Sequence, residues 1–425
     1  MADRQVPLAE IVEFHPAPIA PSSLGDLAVD LYSIPAFDST KAPERVIASE
    51  IGSSKFSVPS DGVLLSRLNP RIPRVWLPQV DNSVVALAST EFMVLRPKQG
   101  VNRSFLRFLL SAPEFLQQIQ SRVTGTSGSH QRVRPHDVLS IIVSVPPLAE
   151  QERIANTLSC FDNKTELNRR MNETLEAMAR AIFRSWFVDF DPVRAKAEGR
   201  KPEGMDAETA ALFPDSFVDS ALGKIPKGWE VGVLGDIAEN RREIIDPSGV
   251  PGDTPYIGLE HMPRRSIALG EWATAGGVES SKSRFCRGDI LFGKLRPYFH
   301  KVGVAPVDGV CSTDILVIVP KSPECFGFLL FHVSSVDFVN YTDGTSTGTK
   351  MPRTNWRDMA NYKIALPPVN VVAAFSRASA PMIESAISNT LQSRSLASVR
   401  DAFLPKLLSG EVFLADENCL PKEGG

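Results

Sequence analysis

Cysteine and histidine are scarce in this chain, five and six in 425 residues, and none is placed for chemistry. Cys160, Cys286, Cys311, Cys325 and Cys419 are odd in number, widely scattered and form no CxxC pair, which argues against a disulfide framework or a zinc site. No HExxH or closely spaced histidine pair offers metal ligands, and no Gly-x-Ser-x-Gly nucleophile turn is written. The Asn/Asp-Pro-Pro-aromatic motif of DNA amino-methyltransferases is missing, since Asp191-Pro192 runs into Val193. The run Gly344 to Lys350 resembles a phosphate-binding loop, but three residues rather than four separate its glycines and Met351 follows the lysine. No catalytic or metal-binding group is therefore expected in this chain. Long apolar runs are lacking too: Ile315 to Val319 is far too short to cross a bilayer. The opening MADRQVPLAE is polar, so a cytoplasmic, reduced protein with no membrane partner is expected. A net charge of −3 and a pI near 6.1 exclude coating of nucleic acid by bulk charge, which leaves local basic patches.

What is present is one unit written twice. Leu8-Ala9-Glu10-Ile11 matches Leu234-Gly235-Asp236-Ile237, 226 positions on. Ser53-Ser54-Lys55 matches Ser280-Ser281-Lys282, and Val63 to Pro70 matches Ile290 to Pro297, both 227 positions on. Gly125-Thr126-Ser127 then answers Gly344-Thr345-Ser346, and Pro146-Pro147 answers Pro367-Pro368 at 221. Matched blocks in one order, with slowly drifting offsets, mark a tandem duplication. Each copy has about 140 residues of short apolar runs, β-branched residues and frequent Gly and Pro, a mixed α/β pattern.

A long helix closes each copy. After Pro146-Pro147, Glu150 and Glu152 suit the positive end of a helix dipole. Ile154, Leu158 and Phe161, then Leu167, Met171, Leu175, Met178 and Ile182, give one apolar seam with a phase slip between Phe161 and Leu167. The second helix offers Phe375, Met382, Ile383, Ile387, Leu391, Leu396, Val399, Phe403 and Leu407. The residues expected to pair the helices are thus Leu158, Phe161, Met171, Leu175, Met178 and Ile182 with Met382, Ile387, Leu391, Val399 and Phe403. The domain reading is 1–146 and 229–367 for the two globular units, 147–187 and 368–410 for the helices, 188–228 for a docked linker, and 411–425 for a tail.

The text of the linker carries a resemblance. Ser185 to Lys196 (SWFVDFDPVRAK), Gly204-Met205-Asp206-Ala207-Glu208-Thr209 and the terminal Phe403 to Val412 are similar to the specificity subunits of type I restriction–modification systems. The second copy opens with the family's Trp229-x-x-x-x-Leu234-Gly235-Asp236, whereas the first copy has Val6-Pro7-Leu8-Ala9-Glu10 there. The resemblance implies two target-recognition domains joined by long helices that pack as an antiparallel coiled coil about a pseudo-twofold axis. It implies double-stranded DNA as ligand, with two modification (methyltransferase) subunits and restriction (translocase/endonuclease) subunits as partners. S-adenosylmethionine, ATP and Mg would then belong to those partners. The helices would act as a ruler for the unread spacer of a bipartite site. A scaffold that joins other subunits without reading DNA is the rival reading.

Candidate DNA contacts recur at matched places. Arg67 with Asn69, Arg71 and Arg74 follows one apolar strand, and Lys294 with Arg296 and Tyr298 follows its counterpart. Arg can fork onto guanine, Asn onto adenine, and either cation onto phosphate. The same residues also suit plain solvated turns. The loop that carries Ser127, Ser129, His130, Gln131 and Arg132 answers the one that carries Thr345, Ser346, Thr347, Thr349, Lys350 and Arg353. Their hydroxyls, amide and cations could face DNA or pack between elements.

Overall fold

The computed structural model describes residues 4–39, 41–123, 131–348 and 350–412. The chain divides into two compact units, Met1–Asn163 with Ala397–Gly425, and Lys164–Leu396.

In the first unit, Arg4–Pro7 pairs with Ile142–Val145. A four-stranded sheet runs in the order Val12–Phe14, Phe92–Pro97, Val63–Ser66, Val75–Trp76. A five-stranded sheet runs Pro18–Ile19, Lys55–Ser57, Ala86–Ala88, Ala28–Tyr32, Glu44–Ile47, with Ala28–Tyr32 and Ala86–Ala88 parallel. The second unit repeats this strand for strand. Glu230–Val233 pairs with Lys363–Leu366. Its four-stranded order is Ala238–Arg241, Ile315–Pro320, Ile290–Gly293, Val302–Val304. Its five-stranded order is Ile244–Ile245, Lys282–Phe285, Gly309–Cys311, Pro255–Ile257, Ala273–Thr274, again with one parallel pair at the matching place. Thus the altered opening of the first copy does not change its topology. The central strands Val63–Ser66 and Ile290–Gly293 are buried along their whole length, which is why their sequences run apolar instead of alternating. The linker text folds into the second unit: Val193, Phe213, Ile225 and Trp229 are buried in its main core with Phe187, Phe328 and Phe375.

The long helices are Leu148–Phe187 and Val369–Leu408, 40 residues each, or about 60 Å at 1.5 Å per residue. The first begins directly after Pro146-Pro147, as expected from the missing proline N–H. Within the second unit the two run antiparallel: Asn168 Nδ2 reaches Gln392 Oε1 at 2.9 Å and Ser393 Oγ at 3.1 Å, while Asn172 Nδ2 reaches Thr390 Oγ1 and the Ala386 carbonyl, each at 3.1 Å. In the first unit, Asp162 accepts from Arg400 Nη1 at 2.7 Å and also holds Arg107.

The expected phase slip does not occur. The inward residues of the first helix are Leu158, Phe161, Thr165, Asn168, Asn172, Leu175, Ala179, Ile182 and Trp186, at alternating spacings of three and four. Met171 and Met178 lie off this seam, 41% and 49% exposed, and so does Leu167. On the second helix Ala386, Thr390, Ser393, Ala397, Arg400, Leu404 and Leu407 keep the same alternation, while Val399 and Phe403 are each 40% exposed. Leu158 and Ile387 are buried, and Phe161, Leu175, Ile182, Met382 and Leu391 are partly buried. The correction has a physical cause. The middle of the seam is built from asparagine, threonine and serine, with the amide nitrogens of Asn168 and Asn172 bonded across the pair, so the apolar residues nearby mark a different face.

Candidate nucleic-acid interface

Each unit ends its central strand in the same turn. Ser66 is opposite Phe92 and Gly293 is opposite Ile315 across the four-stranded sheets. One residue further, Arg67 N donates to the Glu91 carbonyl and Lys294 N to the Asp314 carbonyl, both at 2.9 Å. A second segment then closes on the turn. Leu68 bridges Arg132, and Leu295 bridges Arg353. Asn69 N donates to the Gln131 carbonyl at 2.8 Å, and Arg296 N to the Pro352 carbonyl at 2.7 Å. Asn69 and Arg296 share a left-handed backbone, φ 48° and 50°, which asparagine tolerates better than arginine.

This turn brings candidate cations from distant stretches onto one carboxylate. In the first unit Arg132 Nε and Nη2 donate to Glu91, the shortest contact being 2.8 Å, and Arg67 Nε lies 3.8 Å from the same group. The guanidinium of Arg132 bonded to it holds the Glu91 carboxyl below the usual range, with the charge of Arg67 adding to the effect. In the second unit Arg353 Nε donates to Asp314 Oδ1 at 3.1 Å. In the first unit two cations around one carboxylate leave net positive charge, whereas Asp314 in the second unit pairs with Arg353 alone among the described residues. Arg67 Nε and Arg296 Nε are buried without a hydrogen-bond partner among the described residues.

The remaining candidates divide. Asn69 and Gln131 join the first cluster, and Arg71 is exposed beside it. Arg74 is 7% exposed and bidentate to Asp38 at 2.6 and 2.7 Å, so it holds the turn in place and is not offered outward. Ser127, Ser129, His130 and Thr349 lie outside the described residues. Thr345 and Ser346 spend their hydroxyls on the helix Val336–Gly344, donating to the Tyr341 carbonyl at 3.0 Å and the Asp343 carbonyl at 2.7 Å. Gly344 thus belongs to that helix and not to a loop. Thr347 pairs with Arg353 through both backbone groups, at 3.0 and 2.9 Å, which brings exposed Lys350 next to the turn. Arg296 Nη2 reaches the Lys350 carbonyl at 3.4 Å. Tyr298 is exposed and stacks edge-on with Phe299 at 4.8 Å.

Sequence reasoning missed several residues. Arg264 lies over the Phe299 ring at 4.2 Å, and Asn240, Arg242, Ser283 and Thr313 share with Lys294 a cavity of about 130 Å³. Glu91 and Asp314 carried a readable signal: Ser89-Thr90-Glu91 repeats as Ser312-Thr313-Asp314, 223 positions on, inside the drift of the other offsets. Both acids end the same small turn, Glu91 N donating to Ser89 Oγ at 3.3 Å and Asp314 N to Ser312 Oγ at 3.2 Å.

A repeated α/β unit on paired helices, with one cation cluster per repeat, defines a tandem binding protein made to present polar and charged groups at two places. The chain belongs to the type I restriction modification DNA specificity domain family, whose description matches residues 55–177 and 226–371. It is 26% identical over 410 residues to the specificity subunit of the type I restriction enzyme HindI of Haemophilus influenzae, covering 85% of this chain and 88% of that protein. The MjaIX specificity subunit of Methanocaldococcus jannaschii is 25% identical over 339 residues, 76% of this chain and 72% of its own. The crystal structure of a type I system S subunit from M. genitalium covers 96% of each chain at 13% identity with a TM-score of 0.57, a likeness of fold. No helix among the described residues is long and apolar enough to cross a membrane.

Proposed function

We propose that this chain is the DNA-reading specificity subunit of a type I restriction–modification assembly, each unit reading one half of a bipartite site in double-stranded DNA. The observation that carries the reading is the cation cluster repeated at the same strand end in both units. Arginine forks onto guanine O6 and N7, asparagine and glutamine onto adenine, and lysine onto phosphate, so Arg67, Asn69, Gln131 and Arg132 can serve one half-site and Lys294, Arg296, Lys350 and Arg353 the other. The paired helices set the interval between the half-sites. Methyl transfer and cleavage fall to partner chains: two modification subunits with S-adenosylmethionine, and restriction subunits with ATP and Mg. The near-neutral charge of this chain suits that division, because partners can add phosphate contacts. Gel shifts of the full chain with its modification partner on random and selected duplexes test the proposal. Sequence preference supports it, and equal binding to every duplex leaves the scaffold reading instead.

A further inference from the structure

We infer that Glu91 and Asp314 are positioning residues for DNA reading, each holding an arginine from a separate segment so that its guanidinium meets a base edge in one orientation. The inference rests on the DNA-reading proposal above and goes beyond it to residues that do not themselves face the ligand as donors. Three observations combine. Both acids follow a Ser-Thr pair, immediately precede the strand beside the central one, and have their backbone N–H bonded to the serine hydroxyl two residues before. Both receive the Nε edge of an arginine, Arg132 and Arg353, that bridges the turn at the equivalent residue, Leu68 or Leu295. And the backbone carbonyl of each acid fixes the backbone of the cation that follows the central strand, Arg67 or Lys294.

The chemistry follows from the shape of the guanidinium. It is a planar fork with five donors, and bonding its Nε edge to a carboxylate leaves rotation about the long side chain as the freedom removed. In Arg353 only Nε is engaged by Asp314 among the described residues, so the two Nη groups can form the parallel pair that guanine requires. Simple repulsion argues against the acids as direct phosphate neighbours, since a carboxylate beside DNA opposes binding unless it orders something that more than compensates. The retention of glutamate in one unit and aspartate in the other, each bonded to the arginine that bridges the equivalent leucine, fits a role in orientation at two slightly different reaches.

The test uses the full chain with its modification partner and a duplex selected from a random library. Glu91→Gln and Asp314→Asn are compared with Glu91→Asp and Asp314→Glu. Each neutral variant is expected to lower discrimination at one half-site by about tenfold while the other half-site is read as before. Affinity for random duplex stays equal or rises, because a negative charge is gone. The acidic swap restores most of the discrimination. Selected and random duplexes changing by one common factor would overturn the inference, because that is a pure charge effect; so would unchanged discrimination. Should Glu91→Gln fail to fold, Asp314→Asn carries the same comparison in the other unit. A wild-type chain that prefers no sequence at all would instead remove the DNA-reading proposal, and is distinguishable from either result.

Discussion

At the scale of single residues, two histidines make the second unit sensitive to acid. His332 meets Phe183 and Phe328 edge-on at 4.8 and 4.4 Å, and its Nε2 is buried without a hydrogen-bond partner among the described residues. Burial pushes its pKa down to about 3, and burial also lowers His300, whose Nε2 faces the Ser334 carbonyl at 2.9 Å. An unfolded histidine takes up a proton near 6.5, which the folded core refuses. The contribution of His332 is therefore present above that pH and is lost as pH falls from about 6.5 toward 3, and that of His300 is lost in the same direction. His332→Phe should flatten the fall in melting temperature across that window, and an unchanged slope would refute the assignment. Arg74→Ala should lower unfolding free energy by about 1–3 kcal/mol by removing the buried Arg74 side chain and its bidentate bond to the half-exposed Asp38, measured by denaturant titration. A change only in DNA affinity would return Arg74 to the contact surface. Most of the candidate cations were legible by their recurrence, but their carboxylate partners were not singled out. The reason is that an acid is recognised as a partner only once the sheet register puts it beside the turn.

At the scale of elements, the helix pair shows where hydrophobic periodicity stops being a guide. The existence and start of both helices follow from the prolines and the length of the patterns, and their antiparallel pairing is what the family resemblance implies. The contact face does not, because Asn168 and Asn172 occupy inward positions and Leu167 and Met171 sit one residue away. Asn172 donates across the pair and accepts from Asn389 Nδ2 at 3.0 Å, a layer that defines one register. Asn172→Ala should cost about 1–3 kcal/mol by leaving those groups unpaired, seen as a lower denaturation midpoint. An unaltered midpoint would mean that the layer holds nothing. Phe403 gives the converse: being off the seam, Phe403→Asp should change unfolding free energy by less than about 0.5 kcal/mol. A larger loss would put that side chain back into the pairing.

At the scale of the whole molecule, the duplication was the most legible feature, since blocks spread over the entire chain kept their order. Individual strands were less so, because many have only two to four residues and gain their identity from neighbours on the sheet. The matching strand orders turn a sequence repeat into a repeated fold, with two clusters that differ in detail, as the proposed reading of two different half-sites requires. The most direct measurement is selection of random duplex DNA by the full chain together with its modification partner, followed by sequencing of the bound pool. Two short preferred blocks separated by a fixed number of unread base pairs are expected. One continuous block, a variable interval or a pool without preference would contradict that expectation.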